Sequence, residues 1–164
     1  MRDVRPFKKV LPLKMIPVKT NAGIFLLEFS PIGLCSVRFP TASDRRTPTR
    51  CDIGHLVGVK WFRERVPLDL SDCTLFERRV YLALRKIPAG KTETYGELAR
   101  RAGYPGSARA VGNAMKKNRL PLVIPCHRVI PAAGGIGGYS AGKAWKRFLL
   151  DRELRAARNA NSRN

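Results

Sequence analysis

The residues best suited to chemistry are a cysteine, a histidine and an arginine that follow one another in a short apolar segment, residues 122–131, bracketed by prolines. Cationic neighbours lower the pKa of a thiol, and only the thiolate form is nucleophilic. Cys126, followed by His127 and Arg128, is therefore the best nucleophile in the chain. The prolines fix their own backbone angles and restrict the residues before them, which predicts an extended, rigid segment that cannot be helical.

The remaining cysteines and the second histidine do not form a metal-binding pattern. Cys35, Cys51 and Cys73 stand far apart with no Cys-x-x-Cys pair, and His55 is the one histidine outside the apolar segment. A zinc finger or zinc knuckle needs closely spaced ligands, so we predict no metal. A cysteine hydrolase would require His55 to reach the thiol from the other half of the chain.

The charge balance predicts a folded protein that binds a polyanion. The 164 residues include 32 basic and 12 acidic side chains, a net charge of +20, and 44% of them are hydrophobic. Such a field attracts polyanions, of which nucleic acid is the one we favour. No apolar run approaches the roughly 20 residues of a membrane span, so we expect no membrane partner.

Two further expectations concern cofactors and location. The glycines of the chain form neither a P-loop nor a dinucleotide-binding pattern, so we expect no cofactor. Prolines and lysines interrupt the N-terminal residues, which predicts no secretory signal, reduced thiols and a cytoplasmic, nucleoid-associated protein.

The first half of the chain predicts a small antiparallel sheet covered by a helix. Residues 1–13 are basic and lack a hydrophobic period, so we interpret them as a loose extension. Runs rich in Val, Ile, Leu and Phe, separated by turn sequences, predict a three-stranded meander. The strands are expected at 15–19, 23–29 and 33–39. Apolar residues at helical spacing predict a helix over 53–66, and the polar connection that follows ends a domain spanning 14–70.

The second half, residues 71–158, predicts a mostly helical domain. Thr74 with Glu77, and Thr94 with Glu97, have the capping-box spacing that begins a helix. A third helix follows a tight turn of glycine and proline, which is the pattern of a helix-turn-helix.

The end of the chain and the fold class follow from the same reading. Ser107 can cap the third helix, and a last amphipathic helix begins near residue 144 and frays from residue 152 onward. Residues 159–164 are expected to be a loose tail. Strands followed by helices predict the α/β class, in its α+β form.

At this point the residues resemble a known family. Residues 125–129, Pro-Cys-His-Arg-Val, follow a helix-turn-helix that contains Ser107-Ala-Arg-Ala-Val and Asn118, and precede Gly138-Tyr-Ser. Together they are similar to the O6-alkylguanine-DNA alkyltransferase family, also called methylated-DNA–protein-cysteine methyltransferases. The resemblance implies an N-terminal ribonuclease H-like domain, with a three-stranded antiparallel sheet plus helix, and a C-terminal winged helix-turn-helix domain.

The resemblance implies a chemical role for several side chains. Cys126 would accept the alkyl group from O6 of a damaged guanine, permanently and in a single turnover. His127, acting through a water, and Glu153 would form the relay that takes the thiol proton. Lys146 lies two helical turns before Glu153, so both face one side of the last helix, where a surface ion pair is the alternative interpretation. The Tyr95 hydroxyl would donate to the guanine ring, unless Tyr95 is simply a half-buried core residue.

The resemblance also implies how DNA is bound. The small residues of the third helix would approach the minor groove closely, and an arginine would fill the stack when the target base is rotated out of the duplex. The predicted DNA-binding residues are Arg109, Ala108, Ala110, Gly112 and Arg128. The predicted base-pocket residues are Tyr95, Val129, Tyr139, Ser140 and Asn118. Some relatives have glycine where this chain has Ala141, which could narrow the pocket against bulky alkyl groups.

Three other functions compete with alkyl transfer. A lesion sensor would extrude the base without accepting the group, but such proteins typically replace the acceptor cysteine, which is present here. A winged-helix transcription factor leaves the Cys-His-Arg segment unexplained, and a cysteine hydrolase would depend on His55. We predict double-stranded DNA containing O6-alkylguanine as the partner of a protein that is monomeric in solution.

Overall fold

The computed structural model describes residues 12–20, 23–40 and 66–161, with side chains to residue 159. In chain order the elements are the strands β1 (Lys14–Thr20), β2 (Gly23–Phe29) and β3 (Leu34–Arg38), the helix α1 (Leu75–Arg85), the strand β4 (Glu93–Thr94), the helices α2 (Tyr95–Arg101) and α3 (Ala108–Lys116), a 3₁₀ helix (Cys126–Arg128), the strand β5 (Val129–Ile130) and the helix α4 (Lys143–Asn161). This architecture confirms the predicted α/β class. None of the described helices is long and apolar enough to cross a membrane.

The N-terminal strands form the predicted antiparallel meander. The strand order is β1-β2-β3, and β1 pairs with β2 along its whole length. Alternate residues of β2, Phe25 and Leu27, are buried, as the two-residue period of a strand requires. Pro17 lies in β1, at the edge of the described sheet, where a missing N–H is tolerated. The helix predicted over 53–66 lies outside the described residues.

Strand β3 brings the sheet into contact with the second half of the chain. The N–H of Val37 donates to the carbonyl of Arg119 over 2.7 Å, and the N–H of Leu34 donates to the carbonyl of Pro67 over 2.8 Å. Gly33 lies so close to that carbonyl that a Cβ atom there would be 2.3 Å from the oxygen. Buried side chains from the sheet and from the helices belong to one hydrophobic core.

Both predicted capping boxes are present. The N–H of Thr74 donates to Glu77 over 2.9 Å, and the N–H of Glu77 donates back to the Thr74 hydroxyl over 3.2 Å. Thr94 and Glu97 make the same pair of bonds at the start of α2. Ser107 precedes α3, but its side chain makes no capping hydrogen bond. The helices therefore begin where the sequence predicts. Ser107 occupies the N-cap position without capping the helix through its side chain.

The segment at 122–131 differs from the prediction, because it is not extended throughout. Cys126–Arg128 form a single 3₁₀ turn, closed by the N–H of Arg128 donating to the carbonyl of Pro125 over 2.9 Å. A turn that begins directly after a proline does not need the N–H that proline lacks, so the residue does not forbid it. The extended part is limited to β5, which pairs in parallel with β4 and so lies beside the start of α2.

The last helix also differs from the prediction, because it does not fray from residue 152. Helix α4 continues to Asn161, and Glu153, just past the expected end, is buried. A Cβ atom on Gly90 would lie 3.1 Å from the side chain of Ala157, so the loop after α1 packs tightly against this stretch. Tertiary contact, which a sequence pattern does not show, holds the final turns.

Gly33 and Gly96 provide a matched test of this packing. We expect Gly33→Ala to lower the free energy of unfolding by about 1–3 kcal/mol, because its Cβ would collide with the backbone of Pro67. Gly96→Ala lies in α2 with no atom within 4 Å of the new Cβ, so it should be neutral or stabilising by up to ~1 kcal/mol. Urea denaturation followed by circular dichroism measures both. Equal stability of the two variants would contradict the close approach of β3 to residue 67.

Candidate active site

The thiol of Cys126 is buried at the first residue of the 3₁₀ helix, with 7% of the residue exposed. Burial raises the pKa of the Cys126 thiol, and a hydrogen bond from Asn118 and the charge of Lys146 oppose that rise without overcoming it. The expectation of a pKa lowered by cationic neighbours is therefore wrong for the protein without substrate. The thiol is protonated at neutral pH and needs a base before it can attack.

The two residues after the thiol both bind the carboxylate of Glu153. Nε2 of His127 lies 3.0 Å from Oε1, and Arg128 donates from Nε to Oε2 over 2.9 Å and from Nη2 to Oε1 over 2.5 Å. Nη1 of Arg128 donates to the carbonyl of Ile87 over 2.5 Å, and the N–H of Gly90 donates to Oε2 over 3.1 Å. All three residues are buried, with 5% or less of each exposed. We call His127, Arg128 and Glu153 the buried ion network.

The carboxylate of this network stays charged. Burial alone would raise the pKa of Glu153, but hydrogen bonds from His127 and Arg128 outweigh it and lower the pKa to about 2. An anionic carboxylate accepts a proton-bearing nitrogen, so it selects the His127 tautomer with hydrogen on Nε2. In the neutral ring Nδ1 then carries the lone pair, and His127 is oriented to accept a proton there.

The prediction that Arg128 binds DNA is wrong. Its side chain is fully buried, and its guanidinium donates to Glu153 and to the carbonyl of Ile87 rather than facing a phosphate. Arginine is suited to this position because its fixed fork of donors matches a carboxylate. In a chain with a net charge of +20, composition does not separate a buried arginine from a surface one.

Lys146 is buried next to the thiol but does not pair with Glu153. Its ammonium donates to the carbonyl of Val129 over 2.7 Å and to that of Gly138 over 3.4 Å. Burial lowers the pKa of Lys146, and the nearby Cys126 opposes this change. The alternative of a surface ion pair is therefore wrong, because both side chains are buried on one side of α4 with different partners.

Asn118 connects the end of α3 to the thiol segment. Its Nδ2 donates to the carbonyl of Ile124 over 3.0 Å, and its Oδ1 accepts from the N–H of Leu120 over 2.9 Å. These bonds shape the turn that contains Leu122, whose φ of 75° lies in the left-handed region. Asn118 also acts on the Cys126 thiol. Asn118 therefore stabilises the turn and, by its hydrogen bond, favours the thiolate form of Cys126.

Tyr139 and Ser140, both predicted for the base pocket, lie in different surroundings. The hydroxyl of Tyr139 is buried near Cys126 and makes no hydrogen bond with any group in the described part of the chain. Burial raises the pKa of Tyr139 well above its usual value, so the phenol stays neutral. Ser140 is exposed on the loop that follows. Val129 is fully buried.

Tyr95 stands at the first position of α2 with its ring against α3. A Cβ atom on Gly112 would lie 3.9 Å from Cε1 of the ring, so the glycine admits the tyrosine in van der Waals contact. Burial, and then the neighbouring Cys126, raise the pKa of the Tyr95 hydroxyl. Tyr95 is half-buried, packs against the hydrophobic core and lies near enough to Cys126 for the two groups to interact.

Helix α3 presents a small-residue surface beside the site. Arg109 and Ala110 are exposed, Ala108 and Gly112 are half-buried, and Val111 is buried in the core. The surface therefore combines one long cation with side chains too small to hold a partner away from the backbone. This arrangement agrees with the residues predicted to contact DNA, Arg128 excepted.

The chain is similar to known O6-methylguanine-DNA methyltransferases. The family described as 6-O-methylguanine DNA methyltransferase, DNA binding domain, matches residues 75–155. A methylated-DNA--protein-cysteine methyltransferase of Mycolicibacterium paratuberculosis is 51% identical over 90 residues, which are 55% of this chain and 54% of that protein. OGT of Mycobacterium tuberculosis, solved in complex with DNA, is 34% identical with a TM-score of 0.68, over 85% of this chain and 91% of that chain.

The chain belongs to the O6-methylguanine-DNA methyltransferase family. A second family member, the methyltransferase of the hyperthermophilic archaeon Pyrococcus kodakaraensis, superposes with a TM-score of 0.62 at 25% identity, over 87% of this chain and 99% of that one. The family resemblance stated from the sequence is confirmed. The match to the first curated relative covers about half the length of that protein.

Sequence reasoning missed several groups that complete the site of this family member. The carbonyl of Ile87 and the N–H of Gly90 are backbone atoms, which leave no trace in a sequence. Phe39 packs edge-on against Tyr139, with ring centroids 6.1 Å apart, although 100 positions separate them. The sequence offered one weak signal, a glycine at position 90 directly after Pro-Ala. In the structure this glycine has a φ of 75°.

The buried ion network predicts that replacing Arg128 and replacing Arg109 have different effects on stability. Removing Arg128 leaves Glu153 uncompensated, so we expect Arg128→Leu to lower the free energy of unfolding by about 3–5 kcal/mol at pH 7. Arg109→Leu, on the surface, should stay within about 0.5 kcal/mol. Urea denaturation of both variants measures this.

The pH dependence supplies a second readout. A carboxyl with its pKa lowered to about 2 contributes stability above its unfolded pKa of roughly 4.3, and this contribution is lost as pH falls toward 2. The deficit of Arg128→Leu should therefore shrink as the pH falls through this window. A deficit that is small, or that does not change with pH, would contradict the network.

Proposed function

We propose that this protein repairs alkylated DNA by transferring the alkyl group of O6-alkylguanine, chiefly O6-methylguanine, to Cys126. The observation that carries the proposal is the buried thiol with Asn118, Tyr139 and Lys146 around it and the buried ion network next to it. Membership of a family whose curated relatives are named methylated-DNA--protein-cysteine methyltransferase supports the same reaction. Because the thioether is stable, each molecule reacts once.

The proposed transfer uses the groups that surround the thiol. The thiol proton passes through a water to Nδ1 of His127, and Glu153 stabilises the resulting imidazolium without taking the proton, because its pKa is low. The sulfur then attacks the alkyl carbon in line, forming the C–S bond as the C–O6 bond breaks. The electron pair leaves with the guanine, and the Tyr95 hydroxyl donates its proton to the ring. The tyrosine regains a proton from solvent and His127 releases the thiol proton to solvent, so the net change moves one proton from the thiol to the guanine.

Lys146 and the backbone would prepare the site for the thiolate. An ammonium near sulfur favours the charged form, and its bond to the carbonyl of Val129 holds β5 against α4. A carbonyl has two lone pairs, so that of Val129 could still accept from the exocyclic amine of guanine. The carbonyl of Cys126 would do the same while it accepts the N–H of Val129.

The DNA partner is proposed to bind through the surface of α3. A buried thiol cannot reach O6 inside paired DNA, so the damaged nucleotide must be rotated out. Ala108, Ala110 and Gly112 would let the helix backbone approach the minor groove, and Arg109 would occupy the vacated position in the stack. The solved DNA complex of a 34% identical relative supports DNA as the partner. We propose a monomeric, cytoplasmic protein that needs no cofactor.

Mass spectrometry after mixing with a duplex containing one O6-methylguanine tests the reaction. We expect one methyl group on Cys126, mapped by peptide analysis, and saturation at one equivalent of DNA. Cys126→Ala should gain no mass, whereas Cys73→Ala, which replaces a thiol outside this site, should react like the wild type. Tight lesion binding without a mass gain would identify a sensor. The absence of both binding and transfer would refute the proposal.

Base extrusion is tested separately with two arginines. We expect Arg109→Ala to slow transfer from a paired lesion about tenfold, because extrusion costs a few kcal/mol and the arginine offsets part of it. Transfer from a lesion in single-stranded DNA should change much less. Arg147→Ala removes an exposed charge from α4 and should affect both substrates alike. Equal slowing of both substrates by Arg109→Ala would contradict the extrusion role.

A further inference from the structure

Four aromatic rings join the N-terminal sheet to the loop beside the thiol. Phe25 of β2 lies 5.2 Å from Phe39, and Phe39, directly after β3, lies 4.9 Å from Trp145 of α4, each distance joining ring centroids. Phe39 also meets Tyr139 edge-on at 6.1 Å, with an interplanar angle of 86°. Edge-to-face contact is the favourable geometry for such pairs. We call these four residues the aromatic cluster.

The other side of the Tyr139 ring faces the reaction centre. Its centroid lies 6.5 Å from that of His127, with an angle of 88°, and its hydroxyl is buried beside Cys126. One ring therefore touches the N-terminal sheet through Phe39, the proton acceptor through His127 and the nucleophile through its hydroxyl. Among the described residues, Phe39 is the side chain of the first half of the chain that stacks on it.

The backbone around Tyr139 does little to hold this ring. Tyr139 follows a loop with four glycines between positions 134 and 138, a composition that leaves many backbone conformations open. Three backbone groups of this stretch are restrained by hydrogen bonds. The N–H of Gly134 donates to the carbonyl of Pro131 over 3.2 Å, the carbonyl of Gly138 accepts from Lys146 at 3.4 Å, and the carbonyl of Tyr139 accepts the N–H of Gly142 at 3.0 Å. The direction of the side chain is left to packing.

We propose that Phe39 is a positioning residue for the transfer reaction, which holds the Tyr139 ring so that its hydroxyl meets the sulfur of Cys126. This inference rests on the proposed function and adds a role for the N-terminal sheet in it. As the thiolate forms, the neutral phenol donates a hydrogen bond to it, and a charge-assisted bond of this kind is stronger than one between neutral groups. Without Phe39 the ring loses one wall and the bond is made less often.

The thiol responds to groups from several elements, so the contribution of Tyr139 must be separated from theirs. Asn118 and Lys146 favour its thiolate form, as Tyr139 does, and the phenols of Tyr95 and Tyr81 lie near enough to respond to its charge. His127, next in the chain, is oriented by Glu153. None of these contacts involves Phe39 directly. Its other route to the thiol runs through Trp145, the neighbour of Lys146, and Phe148 shares that route.

Phe39→Leu and Phe148→Leu are the matched test. Both phenylalanines are half-buried and pack against Trp145, but only Phe39 also packs against Tyr139. At saturating methylated duplex we expect Phe39→Leu to slow single-turnover transfer about fivefold, with DNA affinity unchanged. Phe148→Leu should transfer at the wild-type rate, and Phe39→Tyr, which keeps the ring, should restore most of the rate.

The pH dependence of thiol reactivity gives a readout that folding alone does not change. With iodoacetamide and peptide mapping of Cys126 in the absence of DNA, the pH midpoint should rise in Phe39→Leu and in Tyr139→Phe but not in Phe148→Leu. In the Tyr139→Phe background, adding Phe39→Leu should cause no further slowing or shift, because the hydroxyl it positions is gone. A full additional effect in the double variant would overturn the inference.

The outcomes separate this inference from the proposed function. If the wild type transfers no methyl group, the proposed function fails, and the iodoacetamide midpoints alone decide the coupling of Phe39 to the thiol. If the wild type transfers and the two leucine variants behave alike, the positioning role of Phe39 is overturned while the reaction stands. Thermal melting confirms that each variant is folded under the assay conditions.

Discussion

The burial of a carboxylate with an arginine and a histidine is the constraint on which the rest of this structure depends. An ion removed from water is stable only where partners replace its hydration, and Glu153 receives bonds from two side chains and one backbone amide. The partners come from the thiol segment and from the loop after α1, and the bond of Arg128 to the carbonyl of Ile87 closes the set. Any rearrangement of α4 or of the thiol segment would leave a charged side chain in the apolar interior without its hydrogen-bond partners.

The same network determines how the thiol can react. Because Glu153 remains anionic, it orients His127 and stabilises positive charge on it, but it does not itself receive the proton. Burial keeps the Cys126 thiol in its protonated form while no substrate is bound. A nucleophile held in this way is protected from indiscriminate alkylation and becomes reactive when a bound base completes the site. Such a resting state suits the proposed single-turnover reaction.

The two halves of the chain cooperate because they share a core rather than a flexible linker. Strand β3 bonds to Arg119 and Pro67, and its neighbouring Phe39 reaches the loop at Tyr139. Helix α3, whose surface is proposed to bind DNA, is connected to the thiol through Asn118, which bonds to the carbonyl of Ile124 and acts on Cys126. The positions of the proposed nucleophile, base pocket and DNA-binding helix are consequently set by one packed body.

The sequence by itself determined the local elements and the reactive segment. Strand alternation, two capping boxes and the Cys-His-Arg motif depend on neighbours within a few residues, so they could be predicted, as could the family. The tertiary structure decided what depends on burial: that Arg128 faces inward, that α4 persists past Glu153 and that the thiol pKa rises rather than falls. Burial is a property of residues far apart in the chain, such as Phe39 and Tyr139, and local pattern carries no record of it.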